Sequence, residues 1–360
     1  MMKKILIIDD SALMRRVMSD IINTDPGMQV TDTAENGSIA VQLLEANKKY
    51  DCILLDINMP KMDGISFLKY LSDQHYTIPT LVVSSIASQS TKETMQALEL
   101  GAYDFVKKPE GVHKISSEEF REQLMQKVKC AFTIKRVQYP GQKLRGKTET
   151  AGEAPVGFRR KQGAGTENIL FIASSTGGPK ALQSVIPRLP TDIGCPVVVV
   201  QHMPAGFTAS LAERLDEMSQ CHVVEAEDGT VLENGVVYVA KGGYQLSVGM
   251  TGRNEHRLAV RKDKARNGLR PCADIFLESL LDSGYRKIFC AVLTGMGSDG
   301  TEGLKQLKRM KDVYTVGQNK ESCVVYGMPR AAEKAGVVDK EADLEEIAGL
   351  LIAALQQNGG

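Results

Sequence analysis

The stretch DCILLDINMPKMDG, residues 51–64, decides how the first half of the chain reads. A continuous apolar run, Cys52 to Leu55, stops at Asp56, and a loop punctuated by Pro60 and Gly64 follows at once. A short run that is apolar throughout is a strand covered on both faces, which is the signature of a parallel sheet. Working outward, KKILIID, MQVTDTA, PTLVVSS and AYDFVKK read as four further strands. The segments starting near Ser11, Gly37, Gly64 and Ser90 read as the helices between them, and strand–helix alternation of this kind predicts an α/β fold. A fifth helix is expected from Ser116, with Glu119 closing a capping box and Phe120, Leu124, Val128 and Phe132 forming one buried stripe.

A chain of 360 residues is long enough for two domains. From Tyr139 to Glu167 periodicity gives way to Gly, Thr and charge, the composition of a linker. The expected plan is residues 1–138, a flexible linker over 139–167, and a second domain over 168–357. In that second half NILFIA, CPVVVVQ, HVVEA, GVVYVA, YQLSVG, HRLAVR, KIFCAVL and VYTVG read as strands, with helices after the first, second and seventh. GVVYVA, YQLSVG and HRLAVR read as antiparallel hairpins inserted into a second, mainly parallel sheet.

Composition narrows the function classes. Lys plus Arg and Asp plus Glu are both 44, so no strongly basic surface marks a nucleic acid as the main partner. The seven cysteines are scattered with no C-x-x-C, which disfavours a zinc site or a disulfide framework and fits a reducing cytoplasm. The apolar run at the N-terminus ends at Asp9–Asp10, too early for a signal peptide, and no run is long enough to span a membrane. A soluble, cytoplasmic protein is expected, monomeric by default.

Two constellations carry chemistry. In an open parallel sheet, functional groups gather outside the carboxyl ends of the strands. There the first half places Asp9 and Asp10, Asp56, Ser84 and Lys108. A 2-1-3-4-5 strand order would bring three carboxylates into one pocket. Such a cluster needs a counter-charge, and Mg²⁺ with oxygen ligands is the cation suited to it. Asp56 then reads as a phosphoryl acceptor, with Ser84 meeting the phosphate oxygens and Lys108 pairing with them. Ordinary turn-capping would explain any one of these residues, but not all of them together.

In the second half, ILFIASSTGGPKAL (169–182) is a strand, a small-residue turn and a helix with Pro179 in its first turn. The spacing A-x-S-x-G around Ser175 is close to that of nucleophile elbows, and the absence of a following G-K-[ST] argues against a nucleotide loop. Of three histidines, His202 directly follows the next long strand and is favoured as base over His222 and His256. Asp299, in the loop after KIFCAVL, is favoured as its orienting carboxylate over Asp228, Asp263 and Asp274. Ser175, His202 and Asp299 would thus meet from three strand ends. A Gly-rich sheet that only binds a ligand is the competing explanation.

IIDDS, LLDINMPKMDG, VVSS and KKP make the first 125 or so residues resemble a response-regulator receiver domain of flavodoxin-like fold. The resemblance implies phosphorylation at Asp56. It also implies Mg²⁺ bound by Asp10, Asp56 and the Asn58 carbonyl with Asp9 acting through water, and switch positions at Ser84, Phe105 and Lys108. SSTGGP, QHMP and TGMGSDG, behind a receiver and a linker, resemble the chemotaxis protein-glutamate methylesterases of the CheB family. That implies a doubly wound serine hydrolase, needing no cofactor for the ester reaction. It would demethylate γ-glutamyl esters and deamidate particular glutamines on chemoreceptor cytoplasmic domains, under a histidine kinase. Backbone N–H groups of Thr176 and Met296 are the implied oxyanion hole. Where the family usually has Gly-Ala before the serine, this chain has Ala173-Ser174, and Ser175 is taken as nucleophile because it directly precedes Thr-Gly-Gly. The rival functions are a receiver-regulated binding module, an esterase of another sensory pathway, and a receiver-linked transcription regulator, for which no helix-turn-helix is evident.

Overall fold

In the computed structural model, which describes residues 2–85, 88–109, 117–134, 167–251 and 255–357, the chain divides into one unit within residues 1–144 and another within 145–360. The expected linker falls outside the described residues except for Glu167.

The first unit alternates strictly: β1 (Lys3–Ile8), α1 (Ala12–Ile22), β2 (Met28–Ala34), α2 (Gly37–Glu45), β3 (Cys52–Leu55), α3 (Gly64–Asp73), β4 (Thr80–Ser84), α4 (Ser88–Glu99), β5 (Asp104–Lys107) and α5 (Glu118–Ala131). The sheet order is β2-β1-β3-β4-β5 with every pair parallel, the order expected from the sequence. The strand of the opening stretch, β3, is buried at all four residues because it lies mid-sheet with both faces covered. Polar caps start the helices: Ser11, Asn36 and Asp63 each accept a backbone N–H of the first turn. For α5 the cap is Ser117, which accepts from Phe120 N. Glu119 therefore sits one residue short of the capping-box position, and the expected box does not form; Ser116 lies outside the described residues. Phe120, Leu124 and Val128 are buried as expected, while Phe132 is the residue just past the helix.

The second unit contains β6 (Asn168–Ser174), α6 (Gly178–Val185), β7 (Val197–Gln201), α7 (Phe207–Met218), β8 (His222–Glu225), β9 (Val236–Val239), β10 (Gln245–Met250), β11 (His256–Arg261), α8 (Ala273–Ser279), β12 (Lys287–Val292), α9 (Thr301–Met310), β13 (Asp312–Gln318), α10 (Met328–Lys334), β14 (Lys340–Ala342) and α11 (Leu344–Gln356). Seven strands form one sheet in the order β14-β13-β12-β6-β7-β9-β8, parallel throughout. Only β10 and β11 pair antiparallel, as a separate hairpin. GVVYVA therefore does not join the hairpins as expected. As β9 it extends the main sheet between β7 and β8, since a valine run buried on both faces suits a parallel ladder. The order reverses at β6, with β7 on one side and β12 on the other, and this is the switch point where an open α/β sheet opens a crevice. Beneath it, Phe171 stacks on Phe276 at 5.2 Å between ring centroids, inside a continuous apolar core.

Candidate functional site

At the outgoing edge of the first sheet, Asp9 follows β1, Asp56 follows β3 and Lys108 follows β5. Asp9 N donates to Ala34 O, and Asp56 N donates to Ile8 O at 2.8 Å, so backbone ladders set both carboxylates side by side. The Lys108 ammonium lies 2.8 Å from Asp9 Oδ2 and 2.7 Å from Asp56 Oδ2, bridging the two. Oxygens of Asp9, Asp10 and Asp56 all lie within 4.8 Å of one another. Asp9 and Asp56 are buried, whereas Asp10 and Asn58 are exposed. Burial pushes Asp56 up to about 6; the Lys108 charge opposes this and the Asp9 charge adds to it. Gly64 is required beneath this loop, because a Cβ there would stand 2.4 Å from the Asp56 carbonyl oxygen.

Ser84 is buried at the end of β4, where its hydroxyl accepts from Thr94 Oγ1 at 2.8 Å and donates to Ser85 O at 3.3 Å. Phe105 is buried within β5, in register with Val82, with the Lys127 ammonium 5.2 Å from its ring centroid. All-oxygen donors converge, and among the described residues Lys108 is the one ion-pair partner that Asp9 and Asp56 share. The donor set therefore fits a hard divalent cation.

In the second unit Ser175 stands one residue past β6, His202 one residue past β7, and Asp299 in the loop after β12, three adjacent strands. Ser175 N donates to Thr294 O at 3.0 Å, Gly178 N to Ser175 O at 2.7 Å, and His202 N to Ser174 O at 3.1 Å. These bonds lock the turn that carries the serine against both neighbouring loops. Gly177 turns the chain with φ +78° ahead of α6.

The two adjacent serines differ in kind. Ser174 is fully buried and donates its hydroxyl to Gln201 Oε1 at 2.6 Å. Ser175 is partly exposed, and its hydroxyl has no hydrogen-bond partner among the described residues. The loop after β12 comes close above it: a Cβ on Gly295 would lie 2.8 Å from Ser175 Cβ. That brings the Met296 segment to the serine, with Thr176 next to it on the other side. Thr294 Oγ1 fixes Thr176 by donating to its carbonyl at 3.0 Å.

His202 Nε2 meets Asp299 Oδ2 at 2.7 Å, both side chains at most 9% exposed. Asp299 is held on every side. Ala273 N donates to Oδ2 at 2.6 Å, and Asp274 N, Gly300 N and the Cys272 thiol donate to Oδ1 at 3.0, 3.0 and 3.1 Å. Burial alone would raise its pKa, but the His202 contact and the Ala273 and Asp274 N–H groups hold it well below the usual carboxylate range. With Nε2 committed to Asp299, Nδ1 is the His202 nitrogen left to exchange a proton with a reacting hydroxyl.

His222 starts β8, exposed and bonded to Asp216, at the opposite edge of the sheet. His256 is buried, stacked 3.8 Å from Tyr285 and bonded to Ser283 O ahead of β12, also far from the outgoing ends. Asp274, expected to lie elsewhere, is beside Asp299; its carboxylate is spent on Gly303 N at 2.8 Å. Burial, together with the Asp299 charge and against the Gly303 bond, raises its pKa. Cys272, Asp274 and Asp299 bring ligand-type atoms within 4.8 Å, but burial pushes the Cys272 thiol up to about 12, so it serves as a donor to Asp299.

Sequence reasoning missed Gln201. It is buried, and besides accepting from Ser174 its amide donates to Ser175 O at 3.0 Å and His202 O at 3.2 Å. It thus ties the Ser175 and His202 loops together. The one signal was an amide side chain closing a run of four valines.

Residues 170–351 match the family model for CheB methylesterase, and residues 5–118 the model for the response regulator receiver domain. The chain belongs to the CheB methylesterase family. The CheB-type chain is 41% identical to a protein-glutamate methylesterase/protein-glutamine glutaminase of Halalkalibacterium halodurans, over 97% of each chain. It is 40% identical to the protein of the same description from Bacillus subtilis, over 99% of each. The crystal structure of the Thermotoga maritima CheB methylesterase catalytic domain resembles it with a TM-score of 0.51 and 39% identity, covering 53% of this chain and 99% of that one. This CheB-type methylesterase is therefore an enzyme with a receiver domain ahead of it. Among its described residues, no helix is long and apolar enough to cross a membrane.

Proposed function

We propose that the chain hydrolyses γ-glutamyl methyl esters on chemoreceptor cytoplasmic domains, and deamidates particular receptor glutamines, by a Ser-His-Asp mechanism gated by phosphorylation of its receiver. The observation that carries the hydrolytic part is the buried His202–Asp299 pair beside a partly exposed serine at the sheet's switch point. Ser175 Oγ attacks the γ-carbonyl carbon and His202 Nδ1 takes its proton. Asp299, ionised and five-fold hydrogen-bonded, fixes the ring and stabilises its cation. The backbone N–H groups of Thr176 and Met296 would receive the oxyanion. His202 then protonates the departing methoxide or amide, giving methanol or ammonia, and water releases glutamate from Ser175 by the reverse proton path. One site serves both substrates because both are acyl transfers to water through the same ester.

In the receiver, Asp56 takes the phosphoryl group, donated by a histidine kinase of the chemotaxis system. Asp9, Asp10, Asp56 and the Asn58 carbonyl would hold Mg²⁺, which supplies positive charge to the phosphoryl oxygens. Lys108 now divides its charge between Asp9 and Asp56, so a phosphoryl dianion on Asp56 changes its best partner. Ser84 and Phe105 are the positions that would respond, shifting the population of receiver states that restrict access to the catalytic crevice. We assign the receiver to 1–138, a flexible linker to 139–167 and the catalytic domain to 168–357, working in the cytoplasm without nucleic acid or membrane insertion. The ester reaction itself uses only the chain's own side-chain and backbone groups and water.

The test is a serine-directed phosphonate probe followed by peptide mass spectrometry. Label on Ser175, lost in His202→Ala, is the expected result. Label on Ser174, or hydrolysis that survives in Ser175→Ala, overturns the assignment.

A further inference from the structure

Resting on that reading, we infer that the loop Arg261–Arg270, between the hairpin and the Asp299 cradle, is a docking platform for an acidic protein segment beside the reacting glutamyl group. The loop carries five cations and one carboxylate in ten residues, RKDKARNGLR, within a chain whose overall charge is zero. Two of the cations are neutralised locally: Arg261 pairs with Asp228 at 3.1 Å and Arg266 with Glu278 at 2.7 Å. Lys262 and Lys264 are exposed and have no side-chain partner among the described residues. The Arg270 guanidinium donates to the Asp263 carbonyl, which leaves its charge unneutralised.

The loop is held in shape and held against the site. Arg266 and Leu269 exchange backbone hydrogen bonds across Asn267 and Gly268, both at positive φ, a tight two-residue turn. The buried Gln245 amide donates to Lys264 O and Leu269 O while its oxygen accepts from Cys272 N, clamping both ends of the loop. Two residues beyond Arg270 begins the cradle, with the Cys272 thiol and Ala273 N on Asp299. On the other side Gly243 N donates to Arg270 O, and a Cβ on neighbouring Gly242 would lie 2.5 Å from Pro204 O, just past His202. The cationic loop therefore borders both the base and its carboxylate.

The chemistry of the reaction names the partner. Each turnover on a glutamyl ester or glutamine leaves a carboxylate, so a segment carrying several such groups becomes more acidic as it is processed. A fixed cationic rim would retain it through long-range attraction and steer its approach, with little ordering cost.

The test uses the full chain with Lys262→Glu/Lys264→Glu, a methyl-esterified, soluble cytoplasmic chemoreceptor fragment and, separately, p-nitrophenyl acetate. For the fragment, KM is expected to rise roughly tenfold at 20 mM salt and about twofold at 0.5 M, because screening shortens the reach of exposed charges. Hydrolysis of p-nitrophenyl acetate should stay within about twofold of wild type, reporting an intact fold and triad. Lys262→Arg/Lys264→Arg should restore KM, and Lys262→Gln/Lys264→Gln should fall between. An unchanged KM for the fragment at low salt overturns the inference. So does an effect seen only with receptors in membranes, which would point to lipid headgroups. A wild type that cleaves the small ester but releases no methanol from the fragment would instead remove the receptor reading, and the platform with it.

Discussion

Asp299→Asn asks the most of the catalytic geometry. Five donors converge on this carboxylate, three on Oδ1 and two on Oδ2. An asparagine keeps one acceptor and turns the other into a donor. Its NH₂ cannot face the Oδ1 side, where two backbone N–H groups and a buried thiol already point inward. It must face Ala273 N and His202 Nε2. There it leaves the Ala273 N–H without an acceptor, costing about 1–3 kcal/mol of stability. It also makes Nε2 the acceptor, which moves the imidazole proton to Nδ1, the nitrogen that takes the proton of Ser175 in the proposed mechanism. A triad locked in the wrong tautomer loses about 10³–10⁴-fold in kcat, equivalent to roughly 4–5.5 kcal/mol of transition-state stabilisation. KM should change little, since the Asp299 carboxylate is taken up by His202, Gly300 and the Cys272–Asp274 segment. Methanol release under saturating substrate, with thermal unfolding followed by circular dichroism, measures both quantities. A variant with more than about a tenth of wild-type kcat would refute the assignment of Asp299 as the orienting carboxylate.

Three further outcomes follow from the same geometry. Ser174→Ala removes a buried hydroxyl bonded to Gln201 and should cost about 1–2 kcal/mol of stability while most ester hydrolysis survives, whereas Ser175→Ala should fold normally and lose hydrolysis; the reverse pattern in parallel melting and activity assays would reassign the nucleophile. Gly178→Ala would drive a Cβ to 1.9 Å from Gln201 Oε1 and 2.9 Å from Ser174 Cβ, so unfolding should come at least 2 kcal/mol sooner, on the order of other overpacked core sites, and wild-type melting would contradict the tie that Gln201 makes. For Mg²⁺, the sign follows from Asp56, whose burial raises it to about 6: below that pH the cation must displace a proton, so calorimetric affinity should fall about tenfold between pH 7.5 and 5.0, and a flat profile would remove Asp56 from the ligand set.

Much of this architecture is legible in the sequence because parallel strands buried on both faces print themselves as apolar runs. CILL, VVVV and FCAV, each ending near a polar loop, announced both sheets and the edge where function gathers. Ser175, His202 and Asp299 could be chosen because each directly follows such a run or lies in the loop behind it, and the structure brings the three strand ends side by side. The run pattern is silent on direction, however. GVVYVA reads equally well as a hairpin arm or as a parallel strand, and only its place against β7 and β8 decides. β14 has three residues, too few to carry a period. Ser116 and Ser117 are adjacent, so a cap shifted by one residue was enough to undo the predicted capping box. Gln201, Cys272 and Gln245 escaped for a different reason. Neutral polar residues at the ends of strands and helices look like turn formers until the atoms they hold are known, and here they hold the Ser175 loop, the Asp299 carboxylate and the loop 261–270.

The most direct measurement is methanol release from methyl-labelled receptor membranes by wild type, Ser175→Ala and Asp56→Ala, each with and without a small phosphodonor and Mg²⁺. The account predicts release by wild type that phosphodonor stimulates, none by Ser175→Ala, and unstimulated release by Asp56→Ala. Release that persists without Ser175, or stimulation that persists without Asp56, would contradict it.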